Sequence, residues 1–388
     1  MTRRICVVVH NRANYARIKS FLKAASSRDD LELVILAGSS VVLDRFGNAA
    51  HVMEEDGFRP DTVIYSSIEG NSPVSMAKST GLLVIELTSL FDSIRPDVVL
   101  TVADRYETMA TAIAAAYLNI PLAHTQGGEV SGSIDESVRH AVTKLSHIHF
   151  PATERAKDFL IRMGEDRDRV FLTGCPSIDL IVETDLTMPG DFFQRTGGVG
   201  DEIQIDEPYV VAMLHPVTTE YGREHNQVDE FIGAVKDILA SGIQVVWLWP
   251  NIDAGSETIS GAIRSFRELE HPASVRFYKN FAPEDYLRLL NSASCLVGNS
   301  SSGIRESAFL GLPAVNVGAR QRLRERASNV VDVDFNRAMI GDAVLAQARV
   351  DRLPSSTLFG DGTAGTQIAE IISHVDLSVE KSLNYLQS

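Results

Sequence analysis

Three carboxylates, Asp104, Glu129 and Asp135, come from loops at the ends of apolar runs in the first half of the chain. Acids grouped in this way push their pKa values apart, so one serves as acid while another serves as base. His215 closes an apolar run in the second half, where a histidine can carry a proton to a departing phosphate. Arg105 and Arg139 add cations beside the acids. The chemistry these types suggest is proton transfer next to an anionic leaving group. Each also has a plainer reading. Asp104 suits a helix N-cap, Asp135 and Arg139 at a spacing of four suit a surface ion pair, and a lone histidine after a strand is often structural.

The anion has its own candidate seat. Residues 298–306 read Gly-Asn-Ser-Ser-Ser-Gly-Ile-Arg-Glu and follow the apolar residues 295–297. A strand that stops at such a turn and restarts as a helix, here over 304–310 with Gly311 ending it, leaves backbone N–H groups free for phosphate. Ser300, Ser301 and Ser302 add hydroxyls, Gly303 permits close approach, and Glu306 suits two ribose hydroxyls. Phosphate plus ribose means nucleotide; an N-capped helix and nothing more is the alternative. Arg12, after the first apolar run, and Arg320, after another, are clamps for a diphosphate or arginines solvated on loops.

These residues need strands that end where they stand. Apolar runs at 5–9, 33–36, 98–102, 122–124, 148–151 and 170–173 alternate with helical patterns. One such helix places Tyr15, Ile18, Phe21, Leu22 and Ala25 on a single face, and another runs over 106–118. Near-continuous Val/Ile/Leu runs indicate strands buried on both faces, hence a parallel, doubly wound sheet. Glycines and Pro189 interrupt the pattern over 184–207, and a second series follows at 210–214, 245–248, 275–278, 295–297 and 314–317. Two Rossmann-like domains with a ligand cleft between them, the GT-B architecture, are expected: 1–185 with the acids, 186–365 with the nucleotide, and a helix over 366–386 crossing back to the first.

The 388 residues suit two domains, and 44% hydrophobic with 22% charged residues is an ordinary soluble composition. The longest apolar runs are strand-sized, well short of a membrane span. Met1-Thr2-Arg3-Arg4 before an apolar stretch has the outline of a signal peptide, but that stretch is too short and His10-Asn11-Arg12 follows it. A net charge of −15 argues against nucleic acid while leaving room for a small anion. Cys6, Cys175 and Cys295, odd in number and far apart, argue for a reducing cytoplasm and against zinc or disulfides.

Taken together the motifs resemble the UDP-N-acetylglucosamine 2-epimerases, specifically the hydrolysing branch that feeds sialic acid synthesis. The resemblance runs through His10-Asn11-Arg12-Ala13-Asn14-Tyr15, Asp104-Arg105-Tyr106-Glu107, Gly127-Gly128-Glu129, the stretch from Ser131 to His147, and Gly174-Cys175-Pro176-Ser177. It continues through His215-Pro216-Val217-Thr218-Thr219, Trp249-Pro250-Asn251-Ile252-Asp253-Ala254-Gly255-Ser256, Gly298-Asn299-Ser300-Ser301, Arg320-Gln321 and Gly360-Asp361-Gly362. The resemblance implies that Arg12, Ser300, Ser301, Glu306 and Arg320 hold UDP, with Asn251 and Asp253 nearby. It implies a reacting centre of Asp104, Glu129, Asp135 and His215, assisted by Arg105 and Arg139, in a homodimer or homotetramer. Three positions depart from the family pattern: Ala103 and Leu323 stand where glycine is usual, and Gln126 where Glu or His is frequent. They leave the reaction class intact and bear on the sugar, since related enzymes take 2,4-diacetamido-2,4,6-trideoxy sugars, or other nucleotides, in the legionaminic acid route.

The implied chemistry is anti elimination of UDP to a 2-acetamidoglycal, then hydration to the free 2-epimer. It calls for no metal, because cationic groups carry the diphosphate charge, and for no nicotinamide, because there is no net redox change. Rival readings are a non-hydrolysing epimerase, a glycosyltransferase of the same fold, and a non-catalytic sugar-nucleotide sensor.

Overall fold

The computed structural model describes residues 2–43, 48–70, 72–102 and 105–384. The chain forms two compact units. The first comprises Met1–Val130, Ile134–Glu183 and Phe359–Ser388; the second comprises Ser131–Ser133 and Thr184–Leu358.

In the first unit β1 (Arg3–Val9), β2 (Leu31–Gly38), β3 (Thr62–Ile64), β4 (Val98–Val102), β5 (Leu122–Thr125) and β6 (Ile148–Phe150) pair in parallel, in the order β3-β2-β1-β4-β5-β6. Alternation along β1 explains the two-sided core. Ile5, Val7 and Val9 face a cluster with Phe21, Leu22 and Ile368. Cys6 and Val8 face the other side, with Leu83, Leu87 and Phe91.

The second unit contains β7 (Val199–Gly200), β8 (Tyr209–Met213), β9 (Gln244–Leu248), β10 (Val275–Tyr278), β11 (Cys295–Gly298), β12 (Ala314–Val317) and β13 (Val330–Val333). Their order is β13-β12-β11-β8-β9-β10-β7, parallel except for the edge strand β7. Leaving β7 aside, this repeats the Rossmann order of the first sheet. Each sheet therefore reverses its winding once, at β1/β4 in the first and at β8/β11 in the second.

Several local expectations are corrected. The residues at 170–173 make no strand, only a single parallel bridge between His149 and Val170. The first helix is two, Arg12–Ala16 and Lys19–Ser26, and the closing helix is Ala364–His374, with a non-helical tail beyond it. The helix expected over 304–310 spans only Glu306–Leu310, behind a 3-10 turn at Ser301–Gly303, and Gly311 ends it at φ 65°. A five-residue helix supplies little dipole. One helix, Pro73–Ile94, is long and apolar enough by composition to cross a membrane. In the fold it lays Ser79, Leu83, Leu87 and Phe91 into the first unit, while Val74 and Ile85 are exposed.

Candidate active site

Among the candidates with a described position, Arg12, Arg105, Glu129, His215, Asn251, Ser300, Ser301 and Arg320 stand just beyond strand carboxyl ends, while Asp135 and Arg139 lie on the helix Asp135–Leu145. In the first unit, Arg105 follows β4 and is gripped by Glu107, with Nε to Oε2 at 3.2 Å and Nη2 to Oε1 at 3.4 Å. Ser39, after β2, donates its hydroxyl to the same carboxylate at 3.1 Å. All three side chains are buried, so the ion pair is held stiffly. His10 Nε2 meets the Thr111 hydroxyl at 2.9 Å. Burial, and then the Arg105 charge, push the His10 pKa down to about 3, and the ring is neutral near pH 7. Asp104 and Ala103 lie outside the described residues. The cap position of helix Tyr106–Tyr117 is taken by Arg105.

Beyond β5 the backbone turns tightly. Gln126 has φ 61° and Gly128 φ 77°, and a Cβ on Gly128 would stand 2.2 Å from the Ala156 carbonyl oxygen. Glu129 is delivered by this turn and is 6% exposed. Arg139, on helix Asp135–Leu145, is fully buried and donates to the Glu129 carbonyl at 2.8 Å and to Glu136 Oε2 at 2.9 Å. The surface ion-pair reading of Arg139 is therefore corrected: it positions the backbone that carries Glu129. Asp135 opens the same helix. The residues between the two acids, Ser131–Ser133, belong to the second unit, where Gly132 N–H donates to the Arg320 carbonyl at 3.0 Å and the Thr219 hydroxyl to the Gly132 carbonyl at 3.1 Å.

In the second unit the site gathers at the switch point. His215, after β8, and Asn299, after β11, bond reciprocally: His215 N–H to Asn299 Oδ1 at 2.7 Å, and Asn299 Nδ2 to the His215 carbonyl at 2.8 Å. Asn251 N–H, after β9, donates to His215 Nδ1 at 3.1 Å. The Asn299 carbonyl accepts from Arg320 Nη1 at 3.2 Å and Gln321 Nε2 at 2.9 Å, and Arg320 Nη2 lies 3.9 Å from Asp253 Oδ2. Ser300 Oγ caps the Ser302 N–H at 3.3 Å, and Glu306 is buried one turn on. His215, Asn251, Asp253, Arg320 and the serine turn thus form one connected polar cluster around a cation.

The comparisons with known proteins agree with this geometry. Residues 23–373 match the UDP-N-acetylglucosamine 2-epimerase family. A UDP-N,N'-diacetylbacillosamine 2-epimerase (hydrolyzing) of Legionella pneumophila is 36% identical over 97% of both chains. The chain belongs to the UDP-N-acetylglucosamine 2-epimerase family. It is a nucleotide-sugar 2-epimerase. A UDP-N-acetylglucosamine 2-epimerase of Neisseria meningitidis is 29% identical over 96% of this chain and 95% of its own. Among solved structures, Methanocaldococcus jannaschii UDP-GlcNAc 2-epimerase in complex with UDP-GlcNAc and UDP superposes with a TM-score of 0.80, covering 95% and 99% of the two chains at 17% identity. This likeness, with two Rossmann-like sheets, gives the epimerase the GT-B fold.

Sequence reasoning did not single out three side chains at this epimerase's site. Asn299 lies within the serine motif, yet it joins His215 to Arg320. Glu107 and Gln321 hold Arg105 and the Asn299 carbonyl. The signal for each was its place within two residues of a residue already chosen. Arg12 starts helix Arg12–Ala16 and is half-buried, and Gly303 is buried in the serine turn.

Proposed function

We propose that this enzyme is of the hydrolysing kind, converting a UDP-2,4-diacetamido-2,4,6-trideoxy sugar and water to the free 2-epimeric sugar and UDP. The Legionella relative, matched end to end, supports that sugar; the Neisseria relative supports UDP-N-acetylglucosamine as a second substrate giving N-acetylmannosamine. In this reading the product enters nonulosonic acid synthesis of the legionaminic or sialic type. Three buried free cysteines support a reducing cytoplasm, and the family resemblance supports a homodimer or homotetramer.

One observation carries the mechanism. Within the second unit, His215, Asn251, Asn299 and Arg320 are joined by hydrogen bonds beyond the carboxyl ends of β8 and β11, which puts a proton carrier and a cation together beside the serine turn. Arg320, Ser300, Ser301 and Glu306 are assigned to UDP, with Asn251, Asp253 and Gly303 shaping the turn and Arg12 assisting from the helix that follows β1. His215, with Nδ1 engaged by Asn251, bears its proton on Nε2 and donates it to the departing phosphate oxygen. The trio Asp104, Glu129 and Asp135 removes the C2 proton as the C1–O bond breaks, forming the glycal. It then activates water for C1 while a proton returns to the opposite face of C2. Arg139 holds the backbone of Glu129, and Arg105, itself fixed by Glu107, supplies positive charge in the same unit.

The test is proton NMR in deuterium oxide with UDP-N,N'-diacetylbacillosamine, UDP-N-acetylglucosamine and their GDP counterparts. Free 2-epimer deuterated at C2, appearing with UDP, is expected. An epimer still attached to UDP, or no UDP release until an acceptor is added, would sink the hydrolytic reading. Glu129→Gln, and Asp104→Asn likewise, should cut turnover by about two orders of magnitude while UDP still binds.

A further inference from the structure

Beyond helix Ala364–His374 the chain does not simply trail away. Its tail docks at three points beside the carboxyl ends of helices Asp135–Leu145 and Glu154–Arg162, with Lys381 reaching the first of them. His147 Nε2 donates to the Val379 carbonyl at 3.1 Å, Asn384 N–H donates to the Gly164 carbonyl at 2.9 Å, and Lys381 enters between them. Lys381 Nζ donates to the Thr143 carbonyl at 3.1 Å, to the Ser146 carbonyl and to Glu165. Glu165, 3% exposed, also takes Lys144 Nζ and, at 2.9 Å, His149 Nε2 from β6.

The electrostatics make this a fixed anchor. Burial opposes ionisation of Glu165, yet hydrogen bonds from His149, Lys144 and Lys381 overcome it and bring its pKa down to about 2. Glu165 is the anion of the cluster, and His149, whose own pKa burial lowers, is its neutral donor. Lysine at a helix carboxyl terminus also satisfies carbonyls that have no intrahelical partner and faces the negative end of the helix dipole.

The other end of that helix carries Asp135, and Arg139 in its second turn holds the Glu129 carbonyl. Eight residues separate Asp135 from Thr143, about 12 Å along a helix axis. A stiff helix gripped at one end transmits its placement to the other. We propose that Lys381 is a positioning residue for the epimerase reaction: the docked tail sets where helix Asp135–Leu145 sits, and through it where Asp135 and Glu129 stand. This rests on the assignment of those acids to proton transfer. A purely structural anchor would lower thermal stability without touching the chemical step of the folded enzyme, so the two are separable.

The experiment compares the full chain, Lys381→Met, Lys381→Arg and a chain ended after Asp376, each assayed well below its own Tm. Lys381→Met and the shortened chain should lose about tenfold or more in kcat, while KM and UDP affinity by calorimetry stay within about twofold. Lys381→Arg, which keeps the cation and adds donors, should recover most of the loss. Lys381→Gln, a milder change that keeps one donor, should fall between and guards against a Met variant that does not fold. A kcat within about twofold of wild type in the Met or Gln variant overturns the proposal. So does a loss that follows Tm alone and is not restored by arginine. Asp135→Asn, run alongside, tests the acid–base assignment by itself: normal turnover there removes Asp135 from the proton path whatever Lys381 does.

Discussion

His215 accepts the Asn251 N–H at Nδ1, 3.1 Å away, and this fixes which ring nitrogen of the neutral imidazole bears hydrogen. A backbone amide is only a donor, so the proton sits on Nε2. His215→Gln places an amide nitrogen near Nε2 and should retain part of the turnover, whereas His215→Ala should lose about a hundredfold or more. Steady-state rates of the two variants decide it. Equal activity in both would remove the donor role.

Glu107 is the buried counter-charge of Arg105 and is shared with the Ser39 hydroxyl. Glu107→Gln keeps the volume but removes this negative charge beside the guanidinium. Turnover should fall by about ten- to a hundredfold, with UDP affinity unchanged by calorimetry, because the residues assigned to UDP at the serine turn are untouched. A variant with wild-type kcat would show that Arg105 holds its place without this partner.

His10 yields a pH dependence of stability. Its folded pKa, lowered from 6.5 to about 3 mainly by burial, means that the unfolded chain takes up a proton which the folded chain refuses. The contribution of this group is whole above pH 6.5 and drains away as pH falls through that window, by about 1.4 kcal/mol per pH unit. Urea titrations of wild type and His10→Gln at pH 7 and pH 4.5 should differ in their acid loss by roughly 2–3 kcal/mol. Parallel losses in the two proteins would mean that His10 is protonated in the fold.

Leu323 occupies a position where the family pattern has glycine, and its φ is 63° with 65% of the residue exposed. The left-handed conformation is strained for leucine, and little packing compensates for it. Leu323→Gly should therefore leave stability unchanged or raise it by up to about 1 kcal/mol, against the usual loss on placing glycine in a chain. Chemical denaturation measures this, and a loss above about 1 kcal/mol would show that the side chain is held by contacts after all.

The strands legible from sequence were those at sheet centres, because residues buried on both faces leave unbroken Val/Ile runs such as 5–9 and 98–102. Of the edge strands, β6 still showed as the apolar run 148–151, but β3, β7 and β13 carried no such mark. Thr62–Ile64 is three residues long, Val199–Gly200 only two, and Val330–Val333 alternates with Asp332 at a half-exposed edge. The residues at 170–173 failed in the opposite sense, apolar enough for a strand yet meeting β6 at a single bridge. At the site, residue types at strand ends pointed to Glu129, His215 and Arg320. Their supports were hidden because reciprocal bonds such as those of Asn299 with His215 join positions 84 apart. Helix periodicity likewise predicts Ile304 and Arg305 as helical, while the serine turn tightens into a 3-10 segment and displaces the start to Glu306.

The first unit takes its last portion from Phe359–Ser388, and Ile368, Ala369 and Ile372 complete the same cluster as Ile5 and Phe21. Synthesis runs from the amino terminus, so the residues of β1 emerge from the ribosome long before the helix that covers them. The second unit is finished first, as an uninterrupted stretch apart from Ser131–Ser133. The half bearing Glu129 is covered only once Ala364–His374 has emerged, so a chain cut before that helix keeps a bare apolar face rather than becoming a smaller folded unit.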